Sequence, residues 1–135
     1  MESLKLTLIK EGDQKFLYQL LSERKSIQNI SHKKMPTYDE HIEFVNSNPY
    51  SKWYIIEIDN EKVGSIYLTK QNEIGIFLKQ KFQGNRIGTE ALNHLIIKNP
   101  GLRYLANINP KNTESIKFFK KLGFKLIQYT YELNE

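Results

Sequence analysis

The stretch from residue 72 to residue 92 leaves the chain the fewest options. Residues 72–78 (Asn-Glu-Ile-Gly-Ile-Phe-Leu) are an apolar run of strand length, and Lys79-Gln80-Lys81 is a basic loop. Then Gln83-Gly84-Asn85-Arg86-Ile87-Gly88-Thr89-Glu90-Ala91-Leu92 is a glycine-bearing turn that runs without a break into an amphipathic helix. A helix N-terminus offers unpaired backbone N–H groups and roughly half a positive charge, and glycines let a ligand approach the backbone closely. Strand, turn and helix together outline a phosphate site. A glycine before a helix is also an ordinary turn device, so the turn alone decides nothing.

The remaining strands and helices follow from periodicity. Leu4-Lys5-Leu6-Thr7-Leu8-Ile9 alternates apolar and polar residues, as a strand with one buried face does. Glu11-Gly12-Asp13 ends it, and Asp13 is the expected N-cap of a helix striped by Phe16, Leu17, Leu20 and Leu21. Residues 29–36 read as a basic loop. Thr37 then caps a second helix, with Glu40 completing a capping box and His41, Phe44 and Val45 on one side. Residues 53–58 and 62–68 are two strands joined by a tight turn at Asp59-Asn60-Glu61, and a short turn at Lys70-Gln71 leads into the strand at 72–78.

Beyond the helix that begins near Ile87, Asn99-Pro100-Gly101 is a stop. Residues 103–108 read as a short strand parallel to 72–78, because a helix connects them. Asn109 to Thr113 opens a last helix carrying Ile116, Phe119 and Leu122, Gly123 ends it, and residues 124–133 read as a final strand. The predicted class is α/β (α+β) with a single mixed central sheet, in the order β-α-α-β-β-β-α-β-α-β.

Length and composition bound what such a chain can be. At 135 residues it is read as one domain, 1–135, and 39% hydrophobic and 12% aromatic residues argue against disorder. The absence of cysteine excludes disulfides, thiolate metal sites and cysteine nucleophiles. Apolar runs fall far short of the ~20 residues that span a bilayer, and no signal-type apolar region opens the chain, so the expected location is cytoplasmic, with no membrane partner. Twenty basic against fifteen acidic residues give a net charge of +5, which suits either a phosphorylated ligand or plain solubility. The basic residues are spread along the chain, so a nucleic-acid surface is the less favoured reading.

Three motifs, in order, resemble the GCN5-related N-acetyltransferase (GNAT) family. Gln83 and Gly88 match the first and last positions of its Gln/Arg-x-x-Gly-x-Gly/Ala signature after the fourth strand, with Arg86 where the first glycine is usual. The element order matches the family's fold. Asn112-x-x-Ser115 and Lys121-Leu122-Gly123-Phe124 resemble its Asn-x-x-Ser/Ala helix start and closing Lys-x-Gly-Phe.

The resemblance implies an acetyl-CoA-dependent N-acetyltransferase needing no metal. It implies that backbone around Phe77 and Leu78 pairs with the pantetheine arm, and that Gln83, Gly84, Asn85, Arg86, Ile87, Gly88 and Thr89 cradle the pyrophosphate. Asn112 and Phe119 would flank the cofactor, and Glu73 aligns with a glutamate that serves relatives as general base. His41 is a candidate substrate contact. Many relatives carry a tyrosine at the position of Phe119 to protonate the leaving thiolate; here either another tyrosine, such as Tyr104 or Tyr129, would substitute, or backbone N–H donors would stabilise the oxyanion without an acid. A small-molecule primary amine, with an amino sugar as lead, is the implied acceptor. A protein or peptide amine is the competing enzymatic reading, and a non-catalytic CoA- or nucleic-acid-binding module the alternative of another class. A homodimer is within what the resemblance implies.

Overall fold

A computed structural model of the chain describes residues 3–23, 35–84 and 86–134. The part of the basic loop at 29–34, and Asn85, lie outside the described residues. Four strands, β1 (Leu4–Leu8), β2 (Tyr50–Ile58), β3 (Glu61–Thr69) and β4 (Ile74–Leu78), form an antiparallel sheet in sequence order. The β2–β3 hairpin turns on Asp59 and Asn60, with φ of 50° and 70°. Positive φ at both central residues is what a two-residue turn needs to match strand twist, and Asp and Asn tolerate it.

Helices cover both faces, and for that reason β2 reads as a nearly unbroken apolar run. Tyr54, Ile56 and Ile58 enter the main core with Val63, Ile66 and the inner side of α3 (Ile87–Lys98), namely Ile87, Ala91, Leu92 and Leu95. Ile55 packs on the other face against Leu17 and Leu20 of α1 (Gln14–Ser22), with Trp53 beside them. α2 (Tyr38–Asn46) is capped as expected: Thr37 Oγ1 accepts from Glu40 N at 3.1 Å, and Thr37 N donates to Glu40 Oε1 at 2.8 Å. In α4 (Thr113–Lys121), Asn112 Oδ1 accepts from Ser115 N at 3.2 Å, which is the physical content of the Asn-x-x-Ser motif.

The α/β class and the order of β1 to β4 and of the four helices agree with the sequence reading, and three local readings are corrected. Asp13 stands at the N-cap position of α1, as expected, but its side chain makes no capping bond to the helix. It closes a 3-10 turn (Glu11–Asp13), only 2% exposed, where its carboxylate accepts from Lys10 N at 2.9 Å and from Lys62 Nζ at 2.6 Å. That ion pair ties the start of α1 to β3, a contact no local pattern encodes. Residues 103–108 do not form a full strand; they meet the sheet through one parallel bridge, Glu73 to Leu105. Residues 124–134 run without ladder pairing, so the expected final strand is not formed among the described residues.

Candidate active site

The site is built where β4 and residues 103–108 part. Thr69 N donates to Glu73 O at 2.8 Å and Lys79 N to Val63 O at 2.9 Å, so the odd-numbered residues from 73 to 79 turn their backbone groups toward β3. The even-numbered residues turn theirs to the opposite edge. There Ile74 N donates to Leu105 O at 2.7 Å and Leu105 N to Asn72 O at 2.9 Å. No further rung follows among the described residues. Ile76 and Leu78 therefore face an open edge, the place for an extended ligand to add hydrogen bonds as a strand would.

This refines the expectation for Phe77 and Leu78. Leu78 faces the open edge, and its carbonyl accepts from Gln83 Nε2 at 3.2 Å, which couples the signature glutamine to the strand. Phe77 pairs its backbone with Ser65 across β3, while its side chain lines the cavity described below. Ile76 is the residue that sequence reasoning missed. Only the register, fixed by the bridge at Leu105, tells which parity of β4 faces outward.

The phosphate-type turn lies just past this edge. A short 3-10 turn (Gln80–Phe82) leads to Gly84, at φ 82°, and Arg86, at φ 65°. Among the described residues, the first amide of α3 with a helical partner is Glu90 N, bonded to Arg86 O at 3.2 Å. The amides of Ile87, Gly88 and Thr89 therefore lie in the unbonded first turn, where the helix carries its positive end. A side chain at Gly88 would come within 3.2 Å of the Phe118 ring, so the glycine lets α3 and α4 close together at this end.

A cavity of about 910 Å³ opens between α1, α2, the sheet and the start of α4. Glu73, Ile76, Phe77, Asn112 and Phe119 line it, as does His41 at the helical end. Glu73 is half-buried. Its Oε1 accepts from Thr69 Oγ1 at 3.1 Å and its Oε2 from Asn107 Nδ2, so one carboxylate bridges both sides of the parting. Asn107 was not singled out from sequence; its importance arises only once residues 103–108 lie beside β4.

The cavity wall is aromatic. Tyr50 and Tyr67 stack face to face at 3.8 Å between centroids, with Trp53 edge-on to Tyr50 at 4.7 Å. Gly75 makes this possible, because a Cβ there would fall within the Tyr67 ring. His41 is 5% exposed and its Nε2 sits 3.2 Å from the carbonyl of Gln14, where it acts as donor. Burial pushes the His41 imidazole below its ordinary range, and the bond to Gln14 offsets this only in part. His41 thus lines the cavity with its Nε2 already committed to Gln14. Of the tyrosines considered for the acid role, Tyr104 donates its hydroxyl to Asn99 O at 2.6 Å, and Tyr129 is exposed on the C-terminal segment. Neither lines the cavity. Among the described residues no cluster of three or more metal-binding side chains occurs, and no helix is long and apolar enough to cross a membrane.

An antiparallel sheet that opens beside a glycine-bearing turn at a helix N-terminus, with a carboxylate at the opening, is the arrangement of an acetyltransferase fold. The sequence matches the Acetyltransferase (GNAT) family over residues 15–124, and the chain belongs to that family. It is similar to a peptidyl-lysine N-acetyltransferase, YjaB, of Salmonella typhimurium, 32% identical over 55% of this chain and 50% of the relative. The chain thus matches about half the length of that curated relative. Among solved structures, a domain from Methanocaldococcus jannaschii superposes with a TM-score of 0.84 at 26% identity, covering 98% of this chain and 94% of that one. A spermidine N-acetyltransferase from Vibrio cholerae, in complex with CoA and spermine, superposes with a TM-score of 0.74 at 17% identity, over 89% and 79%.

Proposed function

We propose that the protein transfers an acetyl group from acetyl-CoA to a primary amine. The observation that carries this reading is that the cavity lined by Glu73 is also lined by Ile76, on the unpaired edge of β4. Donor and acceptor can then meet at one carboxylate. The backbone of Ile76 and Leu78 would hold the pantetheine arm; the first-turn amides of α3, with Gln83, Gly84, Asn85 and Arg86, the pyrophosphate; and Asn112 and Phe119 the far side. When bound, acetyl-CoA supplies an acetyl group as a thioester, with a thiol leaving group whose pKa lies near ~8.5.

The chain's own task is to prepare the amine. A lysine-like amine of pKa ~10.4 is mostly protonated at neutral pH, and reaching the free base costs ~4–5 kcal/mol. Glu73 accepts that proton, directly or through a water, from an acceptor lying along the aromatic wall. Thr69 and Asn107 hold both carboxylate oxygens, so the base is oriented before the acceptor arrives. Phe119 supplies no proton to the departing thiolate, and the reading does not require one from that position.

The acceptor proposed is a small-molecule primary amine, with amino sugars the first class to screen. The charged side chains on the described wall are Glu40 and Glu73, and Phe44, Tyr50, Trp53 and Tyr67 supply ring faces and edges. That combination suits an ammonium group and the chain or ring that carries it. The same wall favours a second reading, a peptidyl lysine, in keeping with the name of the Salmonella relative.

Isothermal titration with acetyl-CoA, and in parallel with mixed-sequence DNA, tests the class of function. One-to-one micromolar binding of acetyl-CoA is expected, followed by thiol release on adding amino sugars, polyamines or lysine peptides. No binding of acetyl-CoA overturns the enzyme reading, and salt-sensitive DNA binding in its place supports the basic-module alternative.

A further inference from the structure

Alternation along β3 brings Ser65, Tyr67 and Thr69 to the cavity in one row. Each of the three grips a different group of the site. Thr69 holds the Glu73 carboxylate through its hydroxyl, at 3.1 Å, and Tyr67 stacks on Tyr50. Ser65 holds Trp53. Its Oγ accepts the indole N–H at 2.8 Å and donates to Tyr54 O at 3.1 Å, so the hydroxyl is used in both directions. Ser65 is 3% exposed, and a polar group buried that far depends on the partners it has.

The bond to Trp53 crosses the ladder on a diagonal. Trp53 stands opposite Tyr67, and Ser65 opposite Ile55, so the indole leans past its direct partner to a hydroxyl two residues along β3. In that posture its ring is edge-on to Phe44, Tyr50 and Tyr67, at interplanar angles of 74°, 75° and 76°. Ring packing alone does not choose between the two ways round for an indole, because the torsion that turns it is broad and roughly two-fold. A directional N–H bond does choose. Only one orientation carries Nε1 to Ser65.

We propose that Ser65 is a positioning residue for the acceptor: through Trp53 it fixes the ring surface along which the amine lies while Glu73 takes its proton. The inference rests on the acetyl-transfer reading and adds to it the origin of the wall's shape. One strand then sets both halves of the acceptor site, with Thr69 orienting the base and Ser65 the ring. The donor side is left alone, since the backbone of Ser65 pairs with Phe77 and the open edge of β4 lies beyond it, at Ile76 and Leu78.

The first readout needs no substrate. The chain has one tryptophan, so its indole N–H gives a single side-chain resonance of that kind in a nitrogen-15 spectrum. That proton is expected to exchange slowly in the parent and at least about tenfold faster in Ser65→Ala. The second readout is kinetic. In Ser65→Ala, KM for the amine is expected to rise about three- to tenfold, with kcat within about twofold of the parent and acetyl-CoA affinity unchanged in calorimetry. Trp53→Phe keeps a ring but has no N–H, and adding Ser65→Ala to it is expected to raise KM no further. An indole proton equally protected in parent and Ser65→Ala overturns the proposal, as does an unchanged KM. Additive rises in the double variant would make Ser65 a direct contact of the acceptor and overturn its action through Trp53. Equal losses in kcat and in acetyl-CoA affinity would mark a general disturbance and overturn it too. A parent that anchors the indole yet transfers no acetyl group overturns the acetyl-transfer reading instead, and the role of Ser65 in it, while the anchor itself stands.

Discussion

Arg86 shows how one side chain can trade backbone comfort for charge. It holds φ at 65°, in the left-handed region where the family signature usually has glycine, and the left-handed conformation costs a residue with a Cβ about 1–2 kcal/mol. Arg86→Gly removes that strain, yet it returns about 0.4–1 kcal/mol by loosening the unfolded chain. The expected stability change in urea denaturation is therefore a small gain, between about 0 and about 1.6 kcal/mol. The expected change in acetyl-CoA affinity is a two- to fivefold loss, roughly the worth of one exposed ion pair. It should disappear in 1 M salt, where the screening length shrinks to about 3 Å. Glu73→Gln keeps the shape and the partners Thr69 and Asn107 but cannot take a proton. Its kcat is expected to fall by at least about tenfold at saturating amine, and an unchanged kcat would remove Glu73 as the base. At this scale the sequence named Glu73 and the turn residues by likeness to a motif. It could not name Ile76, Asn107 or the role of Asp13, because each depends on a neighbour more than thirty residues away or on register.

Helices and hairpins were legible where their causes are local. The Thr37–Glu40 box, the Asn112 cap and the Asp59-Asn60 turn each act within four residues, and each appears as written. The strands at 103–108 and 124–133 were not, since local pattern gives extended chain but a ladder needs a partner. Gly75 lies between these cases: its place in β4 is plain from sequence, and its necessity comes from Tyr67 across the ladder. Gly75→Ala is expected to displace the Tyr67 ring and break its stack on Tyr50, at a cost of about 1–3 kcal/mol in urea denaturation. KM for the amine should rise, while titration with acetyl-CoA stays near the parent value, because β4 keeps its open edge. Loss of acetyl-CoA binding in equal measure would show that the wall and the edge are one unit.

For the whole molecule, His41 links the helical layer to acidity. Its imidazole bonds the carbonyl of Gln14, so α2 is fastened to α1 in the neutral form. Its pKa is lowered on folding by burial, so the unfolded chain binds the proton more readily once pH falls below about 6.5. The stability it contributes is present above that value and is lost as pH falls toward the lower folded pKa. Urea midpoints measured from pH 7.5 down to pH 5 are expected to drop more steeply for the parent than for His41→Gln, and parallel curves would remove His41 as the cause. Carboxylates titrate in both proteins, so the difference isolates the imidazole.

The chain has one tryptophan, and it stands in the wall of the cavity with its indole N–H bonded to Ser65 Oγ at 2.8 Å. Trp53 is thus a built-in optical probe. Its emission reports from one place, beside the stacked tyrosines, and an acceptor that settles there must alter the surroundings of that single ring. Fluorescence titration can therefore rank amines directly, with no label and before any turnover is measured.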